Sequence, residues 1–378
     1  MKNTNISTSH LDYIKRRNLN NIVKLIRVKG AVSRAQVAAE MGLSKSAVST
    51  LVDELLEKGI VQETGIGSST AQGGRRSILL SFDPDYRLCI GVNITSKFTS
   101  ILIANLDGNV RYYDKYAKAD HIPEIVGYIR DSINKHCLSL SSIAGIGLAV
   151  PGITDVASGI VVESPSMGWV NLDLASHLSC EFPFPVFVLN DVDCLALGEN
   201  WIGSAASQDN IYFIGINDGL GSSLIINGQL YTGSNGQAGE VGYTILDSVR
   251  GDWKCNQFGQ YGWLEQTVSG WALQKTGLSV EKVFEAYAMG SSAVAATVDL
   301  FIRNLSVMIA NCVALLNPDC VVIGGEASEY MGNVVPIIRD NVSQMVPIRV
   351  EVRTAQLGEK AYNFGAIAHA LSIVDLID

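Results

Sequence analysis

Paired cysteines and long apolar runs are what this sequence lacks, and no secretory leader is expected of it. Its 378 residues hold seven cysteines, at 89, 137, 180, 194, 255, 312 and 320, an odd number with no Cys-x-x-Cys pair. That usage argues against a disulfide framework and fits free, mostly buried thiols in a reducing cytoplasm. No run of about 18 apolar residues occurs, so no membrane span is expected. The opening MKNTNISTSHLDYIKRR has no apolar stretch of the kind a secretory signal needs. Charge is sparse at 17%, while hydrophobic residues reach 47%, enough for sizeable cores in two or three domains.

The net charge of −9 is unevenly placed. Residues 1–80 hold twelve Lys and Arg against six Asp and Glu, whereas the remainder holds sixteen against thirty-one. A basic head on an acidic body points the head toward a polyanion. Within that head, Leu19, Ile22, Val23 and Ile26 form one helical stripe that Gly30 ends. Ser33, with Gln36 three residues on, reads as a capping box that opens a second helix. A third helix is expected from Ser44, with Val48, Leu51, Val52 and Leu55 inward and Gly59 as its stop. This is the grammar of a helix-turn-helix.

Ser33, Arg34, Ser44, Lys45, Ser46, Ser49 and Thr50 are the expected DNA contacts, since short hydroxyls and cations reach base edges and phosphates in the major groove. Two strands, 60–64 and 77–82, flank a Gly-rich loop that ends in Gly73-Gly74-Arg75-Arg76. This loop is a candidate wing, with Arg75 and Arg76 suited to a narrow minor groove. The unit spans 1–82 with wing and linker, and the partner is a double-stranded DNA operator.

From Leu88 onward, apolar runs such as LCIGV, IAGIGLAV, PVFVLN, IYFIGIN and CVVIGGE alternate with helical stretches, an α/β pattern. Two segments echo each other, GVNITSKFTSILIANLDGNV and GINDGLGSSLIINGQL, each strand, turn, strand, turn. The echo predicts two related lobes around a cleft.

Taken together, these features resemble the ROK family (repressors, open reading frames and sugar kinases), whose repressor branch includes xylose-operon and N-acetylglucosamine regulators. The resemblance runs from about residue 15 to 370. It rests on Pro151-Gly152, Asn190-Asp191, the stretch Gly236 to Gly242, Gly262 with Glu265, and Gly324-Gly325. It implies a two-lobed actin-like, sugar-kinase-like domain over 83–378: lobe one about 86–190 plus the C-terminal helix, lobe two about 191–355. By the same resemblance, Asn190, Asp191, Glu240 and Glu265 are sugar ligands, with Gly152 and Ser166 near the ring and Tyr243 where the family carries a His. Asp191 stands where kinases hold their catalytic base. The Ser164–Trp169 stretch resembles a loop near the sugar, and Trp169 is either core or pocket lid.

The kinase signature D-x-G-G-T-K is Asn93-Ile94-Thr95-Ser96-Lys97 here, and T-G-x-G is Asp218-Gly219-Leu220-Gly221. An amide replaces the acid, side chains replace both glycines, and Asp218 would face phosphate. No kinase activity and no nucleotide cofactor are therefore expected. The family's zinc pattern is also broken: its Cys positions hold Asn256, Phe258 and Trp263, Cys255 is out of register, and Tyr243 stands for the His. No metal is expected; Phe258, Tyr261 and Trp263 pack the loop instead. The segment Leu300–Leu316 is expected to be a buried helix. The expected protein is a cytoplasmic transcriptional regulator of carbohydrate genes, a homodimer or homotetramer answering to a small carbohydrate or sugar phosphate. The alternatives are a sugar kinase with a DNA-binding head, and a DNA-binding protein whose vestigial pocket responds to a protein.

Overall fold

The computed structural model describes residues 4–66, 77–246 and 262–377. The head opens with α1 (Thr4–Lys29), which starts well before the apolar stripe. Leu19, Ile22, Val23 and Ile26 are all buried. A two-residue strand, β1 (Val32–Ser33), was not expected from sequence; it pairs with β3 and is too short to carry a period. Next come α2 (Arg34–Met41) and α3 (Lys45–Glu57). Ser33 caps α2 in a complete capping box with Gln36, and Ser44 caps α3 by accepting from the Ala47 amide. The hairpin of β2 (Val61–Ile66) and β3 (Ile78–Phe82) runs antiparallel from Val61↔Phe82 to Ile66↔Ile78. The candidate wing with Arg75 and Arg76 joins these strands and lies outside the described residues.

The first lobe is built from β4 (Leu88–Ile94), β5 (Phe98–Asn105), β6 (Val110–Ala117), α4 (Ile122–Lys135) and β7 (Ile143–Val150). A small sheet of β8 (Ile153–Asp155), β9 (Ile160–Ser164) and β10 (Trp169–Asp173) follows, then α5 (Leu174–Ser179) and β11 (Val186–Asn190). The main sheet has the order β11-β7-β4-β5-β6. Helix α6 (Asp191–Ile202) leads out of it.

The second lobe holds β12 (Ile211–Ile216), β13 (Leu220–Ile226), β14 (Gln229–Leu230), α7 (Gly270–Gln274), α8 (Val280–Ala288) and α9 (Ser292–Leu316). It continues with β15 (Cys320–Gly324), α10 (Val335–Met345) and β16 (Glu351–Thr354), after which α11 (Ala361–Ile373) returns to the first lobe. Its sheet order, β14-β13-β12-β15-β16, is the first sheet's order reversed, with β12 matching β4 and β15 matching β7. In both lobes the first and fourth strands of the sheet in chain order pair in parallel and the first two antiparallel, so the echo in the sequence is a duplication in space.

Each lobe buries its own apolar cluster. A third cluster joins Ala149 and Leu189 of the first lobe, Val192 and Leu195 of α6, Phe213 and Val322 of the second lobe, and Ala366 of α11. Helix α9 is only partly buried, which corrects the expectation for Leu300–Leu316. Phe301, Leu305, Met308 and Ile309 face the core, where Asn304 donates to Thr267 at 2.8 Å, but Leu300, Leu315 and Leu316 are exposed. It is the one described helix long and apolar enough to cross a membrane, and its buried face forms the second lobe's core.

Candidate functional site

Two surfaces matter, the start of α3 and the cleft between the lobes. Capping sets the first. With Ser44 Oγ holding the Ala47 amide at the start of α3, Ser44, Lys45, Ser46 and Thr50 all stand exposed at its opening turns. Ser49 is half-buried; its Oγ accepts from Arg34 Nη1 at 2.9 Å, and the same nitrogen reaches Asp53 Oδ1 at 2.6 Å. Arg34 also lies 3.8 Å from Glu63, so two carboxylates face its charge within the head. Ser33 is not a surface contact. It is buried, and its Oγ accepts the Gln36 amide while its own amide donates to Gln36 Oε1, so the hydroxyl serves the fold. Ala47, also exposed beside Lys45, was overlooked because a lone alanine carries no polar signal.

The cleft is a cavity of about 510 Å³. Gly152, Ser166, Asn190, Asp191, Glu240, Tyr243 and Glu265 all line it, brought together from both lobes. Parallel strands β7 and β11 end side by side, which sets Gly152 beside Asn190. Gly152 has φ +106, and a Cβ there would sit 2.2 Å from the Glu163 carbonyl oxygen, so only glycine fits. Asn190 donates through Nδ2 to the Gly152 carbonyl, and its Oδ1 accepts from the Val192 and Asp193 amides, capping α6. Much of its side chain is therefore committed to fixing the turn that presents Asp191.

Asp191 opens α6 and faces the cleft while the protein encloses its carboxyl. Burial, with Asp193 and Glu240 adding like charge, pushes it up to about 7. Asp193, on the same helix, accepts from Ser223 Oγ at 2.7 Å and is raised by burial to about 6. Glu240 is raised by burial and by Asp193 and Glu265. Glu265 is held at the other end by the Leu220 amide, 2.9 Å from its Oε1. Burial, then Glu240, Glu265 and Glu163, raise the half-exposed Tyr243 phenol. The cleft thus offers many acceptors, which suit a ligand rich in hydroxyl donors. Glu163, which lines the cleft, and Asp193, whose charge acts on Asp191 and Glu240 from behind it, were missed in the sequence because neither sits in a recognisable motif.

Trp169 packs against the first lobe's core and lines a separate cavity with His121, Arg130 and His177, so it is not a lid over this cleft. Trp263 packs against the second lobe's core. An indole nitrogen has no lone pair to give a metal, and with Tyr243 in place of a His these two residues do not fit zinc. Asn256, Phe258, Cys255 and Tyr261 lie outside the described residues, so their expected packing is not placed.

The nucleotide half does not fit a triphosphate. The β4–β5 turn is closed on itself: the Thr95 amide donates to the Phe98 carbonyl at 3.0 Å, and Thr95 Oγ1 accepts from the amides of Lys97 and Phe98. The amides of Thr95, Lys97 and Phe98, which could otherwise face a phosphate, are thus taken within the turn. Asn93 is fully buried with neither amide atom hydrogen-bonded, a neutral side chain where kinases hold an acid. Lys97 crosses the cleft to Glu326 at 2.9 Å; burial opposes its charge, but Glu326 and Asp218 outweigh burial and raise it. The adjoining cavity, about 400 Å³, is lined by Asp218, Glu281, Glu326, Glu329 and Glu359, with no Lys or Arg among the described lining residues. Each phosphate charge about 4 Å from one such carboxylate is opposed by roughly 1–4 kcal/mol at effective dielectrics of 80 to 20.

A winged-helix head on a duplicated two-lobed α/β body defines a DNA-binding protein built on the sugar-kinase fold. Residues 89–373 match the ROK family and residues 15–62 match winged helix-turn-helix DNA-binding domains; the chain belongs to the ROK family. It is 31% identical over 392 residues to a putative xylose repressor of Caldicellulosiruptor sp., covering 95% of this chain and 96% of that one. It is 28% identical to the xylose repressor of Bacillus subtilis, covering 96% and 98% of the two chains. It is 25% identical to the DNA-binding transcriptional dual regulator NagC of Escherichia coli, covering 88% and 86%. Among solved structures, a ROK-family transcriptional regulator homologous to E. coli MLC superposes with a TM-score of 0.81 over 95% of this chain and 96% of that one, at 23% identity. A ROK-family glucokinase from Streptomyces griseus superposes with a TM-score of 0.64 over 75% of this chain and 99% of its own, at 22% identity. These superpositions share the fold, and the glucokinase leaves a quarter of this chain uncovered.

Proposed function

We propose that this protein is a DNA-binding repressor of carbohydrate-utilisation genes whose cleft binds a sugar without phosphorylating it. Relatives spanning most of the chain are named xylose repressor and N-acetylglucosamine repressor, which supports the regulatory role. The observation that carries the second half is the asymmetry of the cleft. One side converges carboxylates on a space for hydroxyls, while the other has a self-closed turn at Thr95 and carboxylates where phosphates would lie. The same acidity favours a neutral sugar over a sugar phosphate, since Lys97 is the one cation in the described cleft lining and Glu326 already faces it.

In this reading Ser44, Lys45, Ser46 and Thr50 meet the major groove, Ser49 and Arg34 support them, and Arg75 and Arg76 reach from the wing. The body pairs with a second copy, setting two heads on half-sites about one helical turn or a multiple apart, in the cytoplasm where the operator lies. Sugar acts through unequal affinity for the lobe arrangements that favour and disfavour this spacing.

The test screens xylose, glucose, N-acetylglucosamine and their phosphates by thermal shift, then by operator retardation, with ADP release followed in parallel. A neutral sugar that raises the melting temperature and weakens operator binding, with no ADP released, is the expected result. Steady ADP release with any of these sugars, or no response of operator affinity to any of them, overturns the proposal.

A further inference from the structure

The head is seated on the body by a segment that no feature of the sequence singled out. Residues Val374–Ile377 follow α11, and Leu376 and Ile377 are buried in the same apolar cluster as Ile22, Val52 and Ile60 of the head. Polar contacts secure them. Arg16 of α1 donates to Asp375 at 2.6 Å, Asn20 does so at 3.4 Å, and Lys58, the C-cap of α3, donates to the Ile377 carbonyl at 2.7 Å. The segment therefore grips both α1 and the end of α3, the helix whose opposite end presents Ser44 and Lys45.

At its other end α11 begins in the cleft. The Tyr362 hydroxyl donates to Asn217 Oδ1 of the second lobe at 3.1 Å, and Asn217 Oδ1 also accepts the Glu326 amide. Helix α11 lies against α6, which itself begins at Asp191. Their contact leaves no slack: a Cβ on Gly365 would lie 1.7 Å from the Cys194 carbonyl oxygen, and one on Gly198 would lie 2.4 Å from that of Ala361. A pair packed this closely tilts as a unit rather than bending, because packed interiors have low compressibility and transmit strain. The pair thus reaches the cleft at Asp191 and Tyr362, and the segment after it reaches the head at Asp375 to Ile377.

Resting on the reading of cleft and head above, we propose that α11 and residues 374–377 are the mechanical link by which the state of the cleft sets the position of α3. A change in lobe closure alters the Tyr362–Asn217 contact, tilts α11 against the head, and displaces the segment that holds Lys58 and Arg16. The coupling is reciprocal, so an event at the head must be felt at the cleft to the same extent.

The test needs no ligand. Amide exchange is followed by mass spectrometry on the full chain in four forms: unsubstituted, Tyr362→Phe, Leu376→Ala/Ile377→Ala, and the triple combination. Tyr362→Phe is expected to change exchange at least threefold in head residues 19–26 and 48–60, and to produce no such change once Leu376 and Ile377 are truncated. If truncation prevents folding, Asp375→Asn, which weakens only the Arg16 and Asn20 contacts, replaces it and is expected to reduce the response at least twofold. An unchanged head in Tyr362→Phe, or an equal response in both backgrounds, overturns the link. A sugar panel that binds nothing defeats the sugar reading and leaves this result intact, so the two failures are distinguishable.

Discussion

Replacing Asp191 with Asn should make the protein more stable and a poorer sugar binder, and the two effects should separate with pH. Enclosure of the carboxyl raises it from an ordinary value of 3.8 to about 7. Because the folded value lies above the unfolded one, the unfolded chain releases the proton first. Stability from this group is fully present below about pH 4, falls as pH rises, and is lost above about pH 7. The full difference corresponds to about 4 kcal/mol, an upper bound, since Asp191 still touches the cleft and its water. Allowing for that contact, Asp191→Asn should gain about 2 kcal/mol at pH 8 and almost nothing at pH 4. For a chain of 378 residues that is a rise of about 2–3 °C in melting temperature at pH 8. Hydrogen bonds to charged groups contribute roughly 1.5–3 kcal/mol, so sugar affinity should fall about tenfold to a hundredfold. Scanning calorimetry from pH 4 to 8, with titration calorimetry of whichever panel sugar binds, makes both measurements. A variant destabilised equally at pH 4 and pH 8 would mean that Asp191 only starts α6, and the reasoning would fail.

The remaining predictions concern the head and the two halves of the cleft. Lys45→Ala should weaken operator binding and lower the salt slope by about 0.9, as one phosphate contact is lost, while Ser33→Ala should cost about 1 kcal/mol of head stability and leave the salt slope unchanged; retardation at several salt concentrations separates them. Gly152→Ala places a Cβ 2.2 Å from the Glu163 carbonyl at a positive φ, so it should destabilise by about 2–4 kcal/mol and abolish the sugar-induced thermal shift, read by differential scanning fluorimetry. Asn93→Asp should yield no ADP release with any panel sugar, since the closed Thr95 turn and the carboxylates beyond it persist; turnover in that variant would show that the acid alone was missing.

Much of the fold was legible because it rests on local rules. The stripe from Leu19 to Ile26, the box of Ser33 and Gln36, and the stops at Gly30 and Gly59 are short-range devices that a linear pattern displays. The echo between residues 91–110 and 215–230 announced a duplication that the two matched sheets display. The residues expected around a sugar sit together because they fall at strand ends and turns, where a parallel sheet must open its cleft. Sequence also determined the broken nucleotide signature, since Asn93, Thr95, Ser96 and Asp218 are substitutions visible without any coordinates.

Tertiary structure alone decided the rest. Ser33 looked like a DNA contact until burial showed its hydroxyl occupied, and only the fold shows Asp53 and Glu63 facing Arg34. Glu163 joins the cleft, Asp193 lends like charge to Asp191, Lys97 meets Glu326 across 229 positions, and Ile377 meets Lys58 across 319. Pairings over such separations leave no periodic trace, because the pattern in a chain reports which face of an element is buried and not what lies against it. Burial and long-range contact depend on how whole elements pack, and only packing converts the carboxylates, each ordinary alone, into one desolvated acceptor cluster.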